Sequence, residues 1–197
     1  MNTETNTVRA FLAVRLPECI RAELSSVQTE LKSVLSPRST AWPRVENFHL
    51  TLRFLGEMDS SRLPELKAQL HSALAGFGAV EMYCERLGCF PDLRFPKVVW
   101  AWVHDPTERL FELVRRVNLA VAGIARQPEE ARFVGHVTLA RPKQITRAEA
   151  GRLAVFLESA VTRRFGYWTC QQVVLLRSDL AATGRHYTPL ELISLSG

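Results

Sequence analysis

His49-Leu50-Thr51-Leu52 recurs later in the chain as His136-Val137-Thr138-Leu139. Each tetrapeptide alternates a polar residue with an aliphatic one, which is the period of a strand with one buried face. His49 and Thr51 then share one face while Leu50, Leu52 and Phe54 fill the other, and His136 and Thr138 likewise oppose Val137 and Leu139. Imidazole and hydroxyl would sit about 6.6 Å apart along each strand. A single H-x-T-x is more often an ordinary strand histidine beside a β-branched strand former than a catalytic motif. Two copies at matching places in a repeated framework favour a functional pair.

Working outward from the motifs, the chain reads as two halves in the same order. Residues 8–16 predict a strand, and Ile20, Leu24, Val27, Leu31 and Val34 form the apolar stripe of a helix after Pro17. A loop over 37–43 leads to the strand at 49–55. Ser60 or Ser61 opens a helix carrying Leu63, Leu66, Leu70 and Leu74, and a strand follows at 79–88. After a connection over 88–96 the order repeats: a strand at 98–103, and a helix with Asp105 as cap, Pro106 at its first position and Glu108 at its third. A strand around 134–140 comes next, then a helix behind the capping box Thr146-Arg147-Ala148-Glu149. Strands near 167–177 and 186–195 close the chain. Arg9 precedes His49 by 40 residues, and Val98 precedes His136 by 38. This register predicts an internal duplication that brings the motifs face to face across a cleft. The expected fold is α+β: two pseudo-symmetric lobes, each an antiparallel sheet with helices outside. They form a single domain over 1–197 with intertwined lobes, approximately 1–96 and 97–197.

Two imidazoles facing each other suit displacement at phosphorus. One, neutral, takes a proton from an attacking hydroxyl or water; the other, protonated, gives one to the departing oxygen. Thr51 and Thr138 would donate to the non-bridging oxygens as charge gathers there. The scheme needs neither metal nor cofactor.

Composition sets the bounds. The 197 residues are 47% hydrophobic and 23% charged, the balance of a folded globular chain. The longest strongly apolar run, 98–103, is too short for a membrane-spanning helix, and the polar start lacks the pattern of a signal peptide. A cytoplasmic protein with no membrane partner is expected. Cys19, Cys84, Cys89 and Cys170 have neither zinc nor disulfide spacing and read as reduced, mostly buried thiols. His71, His104 and His186 lack metal-ligand spacing and read as structural or surface residues. No G-x-S-x-G elbow or Walker-type loop occurs. The net charge of +5 permits an anionic partner. Of the 25 basic residues, 21 are arginine, a bias that suits phosphate contacts but that a GC-rich genome would also produce.

The phrases Glu46-Asn47-Phe48-His49-Leu50-Thr51-Leu52-Arg53-Phe54-Leu55-Gly56 and His136-Val137-Thr138-Leu139-Ala140-Arg141-Pro142 closely resemble the two signatures of the 2H phosphoesterase superfamily. Within it the chain resembles the RNA 2',3'-cyclic phosphodiesterases of the LigT or ThpR type, first named 2'-5' RNA ligases. Arg9-Ala10-Phe11-Leu12-Ala13, Gly88-Cys89-Phe90-Pro91, Val99-Trp100-Ala101, Leu175-Leu176-Arg177-Ser178 and Tyr187 extend the likeness over nearly the whole chain. The resemblance implies His49 as proton donor to the ribose 3'-oxygen, His136 as the acceptor that activates water, and a 2'-phosphomonoester product. It implies as partner an RNA with a 2',3'-cyclic phosphate end, with tRNA fragments or small nucleotides as further candidates, and a monomer. One departure stands out. The residue before the second motif is commonly proline in this family and here is Gly135, which would leave the approach to that strand more flexible.

Other candidates are weighed individually. Arg53 has cleft-facing parity, whereas Arg141 has the opposite parity unless a strand end or bulge reverses it. Either could hold a phosphate oxygen, and Arg53 could equally be solvated or ion-paired. Phe11, Trp42, Phe90, Trp100 and Tyr187 are candidates to stack on bases, but core packing is the default reading for most of them. Trp42 and Phe90 fall in expected loops. A cyclic phosphodiesterase for small nucleotides or ADP-ribose cyclic phosphate would use the same site. A non-catalytic RNA or nucleotide binder would be expected to have lost one of the four motif residues.

Overall fold

The computed structural model describes residues 6–129, 132–181 and 184–195. Its elements follow the expected order: β1 (Thr7–Arg15), α1 (Glu18–Val34), β2 (Thr40–Ala41), β3 (His49–Asp59), α2 (Leu63–Leu74), β4 (Val80–Phe90) and β5 (Val98–His104), then α3 (Arg109–Val121), β6 (His136–Pro142), α4 (Arg147–Ser159), β7 (Arg164–Cys170), β8 (Gln172–Ala181) and β9 (Gly184–Ser194). Short 3-10 turns at Val45–Asn47 and Ser60–Arg62 precede β3 and α2.

The strands form one large antiparallel sheet in the order β7-β4-β5-β6-β3-β1-β8-β9, with β2 added against β6. Its centre is narrow. β3 and β6 meet through one residue pair, Leu50 with Val137, while every other neighbouring pair along the path is joined over four or more residues. β4 lies beside β5, whereas β8 returns to pair with β1 and carries β9 outside it, so strands from both halves of the sequence contribute to both sides of this junction.

Helices cover the apolar face. Ile20, Leu24, Val27 and Leu31 of α1 are buried as their stripe predicts, α1 packs on β7 and α4, and α2 packs on α3 and β9. α4 begins at the expected box, where the Thr146 hydroxyl accepts from Glu149 N–H and the Glu149 carboxylate accepts from Thr146 N–H.

Three local expectations change. α3 starts at Arg109, later than the Asp105 cap implied, because Glu108 takes the left-handed conformation at φ 59°. Asp105 still caps the helix, accepting from the N–H groups of Thr107, Arg109 and Leu110. The single strand expected near 167–177 is two, β7 and β8, separated by Gln171. Phe90, expected in a loop, ends β4 and pairs with Val98. Of the four thiols, Cys84 and Cys170 are buried, Cys89 is partly so and Cys19 is exposed. Among the described residues no helix is long and apolar enough to cross a membrane.

Gly135 does not loosen the approach to β6. Its carbonyl accepts from Val103 N–H at 2.9 Å, and a Cβ on it would stand 2.2 Å from the Val103 carbonyl oxygen. Only a residue without a side chain lets the chain run this close to β5 just before His136. Gly135→Ala should therefore lower thermal stability by about 2 kcal/mol or more, the scale of overpacking in a tight site, and reduce turnover as well; native-like melting and turnover would contradict this.

Candidate functional site

The Leu50–Val137 pair dictates the arrangement of the motifs. Extending its antiparallel register by one residue each way sets His49 opposite Thr138 and Thr51 opposite His136. All four side chains alternate away from buried Leu50 and Val137, and all four line one cleft of about 740 Å³. The square of two imidazoles and two hydroxyls expected from the sequence is thus assembled on the open side of the sheet junction.

Both imidazoles are held the same way. His49 Nδ1 lies 2.7 Å from the Asn47 carbonyl oxygen, and His136 Nδ1 lies 2.7 Å from that of Val134. A carbonyl can only accept, so Nδ1 must carry the proton in each ring, which leaves Nε2 as the atom that exchanges protons. His49 Nε2 is 3.1 Å from the Thr51 hydroxyl, which can donate to it. Aromatic rings fix the planes: Phe11 and Tyr187 stand 5.0 and 5.3 Å from the His49 ring, and Phe90 and Trp100 stand 5.2 and 6.3 Å from that of His136.

Burial pushes the His49 pKa down to about 4, with the neighbouring His136 and Arg141 charges adding to the effect and the hydrogen bond to Asn47 opposing it. The ring is neutral near pH 7 in the free protein.

Arg53 and Arg141 exchange the positions that simple alternation assigned them. Along β3, Thr51 pairs with Ala13 and Arg53 with Leu12, so Leu52 is an extra residue. Along β6, Thr138 pairs with Trp100 and Ala140 with Val99, so Leu139 is the extra one. Each bulge falls three residues after its histidine and reverses the parity of the residues beyond it. Arg53 is consequently buried, donating to the carbonyls of Gln127 and Pro128 at 2.7 Å each, and it braces the segment that brings Gln127 to the cleft wall. It does not line this cleft, where a substrate contact was expected, but lines a smaller adjoining cavity of about 150 Å³ together with Thr51 and His136. Arg141 turns inward, its guanidinium 3.3 Å from the Thr138 hydroxyl, and Phe54 takes the equivalent place beyond His49.

Phe11, Trp42, Phe90 and Tyr187, the stacking candidates of the sequence apart from Trp100, all line the cleft. Phe11 is almost wholly buried and Trp42 packs against the core, so these two are walls more than open platforms. Sequence reasoning missed Phe54, Arg9, Arg44 and Arg185, which also line it. Alternation hid Phe54, and nothing in the local pattern marks the arginines. It also missed Gln28. This buried amide on α1 donates to Leu139 O at the bulge and to Pro43 O beside Trp42, at 2.9 Å each. A polar residue inside an apolar helical stripe was the available signal.

Three comparisons bear on this architecture. Residues 14–100 match the family model described as LigT like Phosphoesterase. A protein of Methanothermobacter thermautotrophicus named RNA 2',3'-cyclic phosphodiesterase is 31% identical over 95% of this chain and 99% of its own length. One of the same name from Thermus thermophilus is 32% identical over 96% and 91%. Among solved structures, TT0787 of Thermus thermophilus superposes with a TM-score of 0.77 at 28% identity, covering 95% of this chain and 97% of that one.

The lowered His49 pKa has a consequence for stability. Above the unfolded value of about 6.5 the ring is neutral in both states and costs nothing. As pH falls from there towards about 4, only the unfolded chain gains the proton, so stability is lost across that window. His49→Gln, which cannot titrate, should narrow the difference in melting temperature between pH 7 and pH 5; an unchanged difference would contradict the assignment.

Proposed function

This chain belongs to the LigT-like phosphoesterases of the 2H superfamily, and on that footing we propose that it opens RNA 2',3'-cyclic phosphate ends to 2'-phosphomonoesters. The observation that carries the reading is the pair of imidazoles with Nδ1 tied to backbone carbonyls and Nε2 left for proton exchange in one cleft. Related proteins bearing the name RNA 2',3'-cyclic phosphodiesterase align over nearly all of this chain, which supports the same substrate class.

His136 Nε2 takes a proton from water as its oxygen attacks phosphorus, and His49 Nε2 gives one to the ribose 3'-oxygen as the P–O3' bond breaks. Thr51, Thr138 and Arg141 receive the charge on the non-bridging oxygens. His49 must be protonated for this role. Its ring is neutral in the free protein, so the proton arrives with the substrate: a phosphodiester anion between the imidazoles supplies the opposite charge that desolvation made necessary. With a 5'-hydroxyl in place of water, the same steps form a P–O5' bond as P–O3' breaks and give a 2'-5' linkage, a ligation; its reversal regenerates the cyclic phosphate and the 5'-hydroxyl. No step calls on a metal or cofactor. Both histidines come from one chain, so a monomer suffices. The narrow sheet junction supports the two-lobe, pseudo-twofold reading of the single domain, with His49 and His136 in equivalent places.

His49→Ala and His136→Ala should each lower turnover of an oligoribonucleotide cyclic phosphate by about 100-fold or more, with binding less affected. The native product should resist a 3'-specific phosphatase; near-native turnover of either variant, or 3'-phosphate ends, would overturn the assignment. Activity should also persist in excess chelator, and its loss there with recovery on adding a divalent metal would replace this mechanism with a metal-assisted one.

A further inference from the structure

Away from the cleft, the open face of the β5–β4–β7 region carries a column of aromatic side chains that the proposed reaction does not use. Along β5, Val99, Ala101 and Val103 are buried, while Trp102 and His104 turn to the opposite face. Along β4, Met82 and Cys84 are buried and Tyr83 and Glu85 share that outer face. Trp102 and His104 stack at 4.1 Å and 18°, His104 and Tyr83 at 5.7 Å and 27°, and Tyr83 and Tyr167 of β7 at 5.9 Å and 29°. Arg86 lies 5.3 Å over Trp102 at one end. At the other end Tyr167 is 72% exposed.

We propose that this column is a docking track for the single-stranded RNA that leads away from the cyclic phosphate end, with Tyr167 as the platform on which an upstream base stacks. The proposal rests on the reading of the cleft as a site for RNA ends and extends it from the terminal nucleotide to the strand behind it. Continuity supports it: Trp102 is the register partner of His136, so the column starts beside a motif histidine and runs across the sheet to β7. Three strand spacings separate β6 from β7, about 14 Å, a span suited to a few nucleotides.

Chemistry points to the same occupant. Near-parallel rings ending in an exposed phenol offer a flat face that every base can use, whatever its sequence. The outer face carries the guanidinium groups of Arg86 and Arg164 together with the carboxylates of Glu85 and exposed Glu81. Glu85 lies within the column, where it is met by His104 at 3.3 Å, Arg86 at 3.5 Å and Arg164 at 3.8 Å. The long contact to highly exposed Arg164 is weak and leaves that guanidinium able to meet a backbone phosphate.

The test compares adenosine 2',3'-cyclic phosphate with an eight-nucleotide RNA ending in the same group. Tyr167 is exposed and outside the cleft, so Tyr167→Ala should fold normally and open the mononucleotide at the native rate. With the octamer its kcat/KM should fall between about 5-fold and 150-fold, the range for losing one base–aromatic stack, mostly through KM. Tyr167→Phe should retain native values. Arg164→Ala should flatten the salt dependence of octamer binding by a slope of about 0.7, the value for one single-strand phosphate contact. No change with the octamer, or an equal loss with both substrates, would overturn the track while leaving the cleft reading intact. Failure of the native protein to open either substrate would instead remove the reading on which the track depends.

Discussion

The site hangs on one backbone pairing, Leu50 with Val137, where β3 and β6 touch before diverging. A side-chain period of two leaves little freedom once that pair is set, because a slip of one residue would turn both histidines into the core and bring two aliphatic side chains out. Leu50 and Val137 are completely buried, as are Leu139 and Ala140. Each methylene placed there contributes about 0.8 kcal/mol, so the apolar face of the junction enforces the register of the polar one. Because the strands meet so briefly, the sheet opens around the motifs into a cleft and does not close over them.

Two bulges refine this geometry, each a leucine three residues after its histidine. They reverse the parity of the residues beyond them, so that Phe54 stands beyond His49 and Arg141 beyond His136. The scaffolds are alike and the chemistry they present is not: one side adds an aromatic wall and the other a permanent cation. A substrate with a charged phosphate and a flat base meets an unsymmetrical site. Arg141 also helps to keep His49 neutral in the free protein.

Much of this is legible in the order of residues. The duplicated H-x-T-x strands, the stripe of α1 and the capping box of α4 stand where periodicity places them, because in each the local preference and the tertiary environment agree. The hidden features depend on partners distant in sequence. A bulge leaves no mark in a run such as Leu52-Arg53-Phe54-Leu55, since beyond Leu52 apolar residues stand at both parities, and simple alternation therefore puts Arg53 on the wrong face. Gly135 reads as permissive in the sequence, and only the fold brings the Val103 carbonyl against it. The Asp105-Pro106-Thr107-Glu108 signal is correct about the capping residue and early about the helix, because Glu108 spends one residue in a left-handed turn.

The central claim is that both imidazoles carry their fixed proton on Nδ1 and trade protons through Nε2, with His49 protonated only when an anion occupies the cleft. Long-range proton–nitrogen correlation spectra of the two rings, recorded from pH 5 to 8 with and without inorganic phosphate, test it most directly. The expected spectra show the Nδ1–H tautomer for both neutral rings, His49 uncharged at pH 5.5 in the free protein, and a rise in its pKa on adding phosphate. An Nε2–H tautomer at either ring, or a His49 already charged near pH 6 and indifferent to phosphate, would contradict the account.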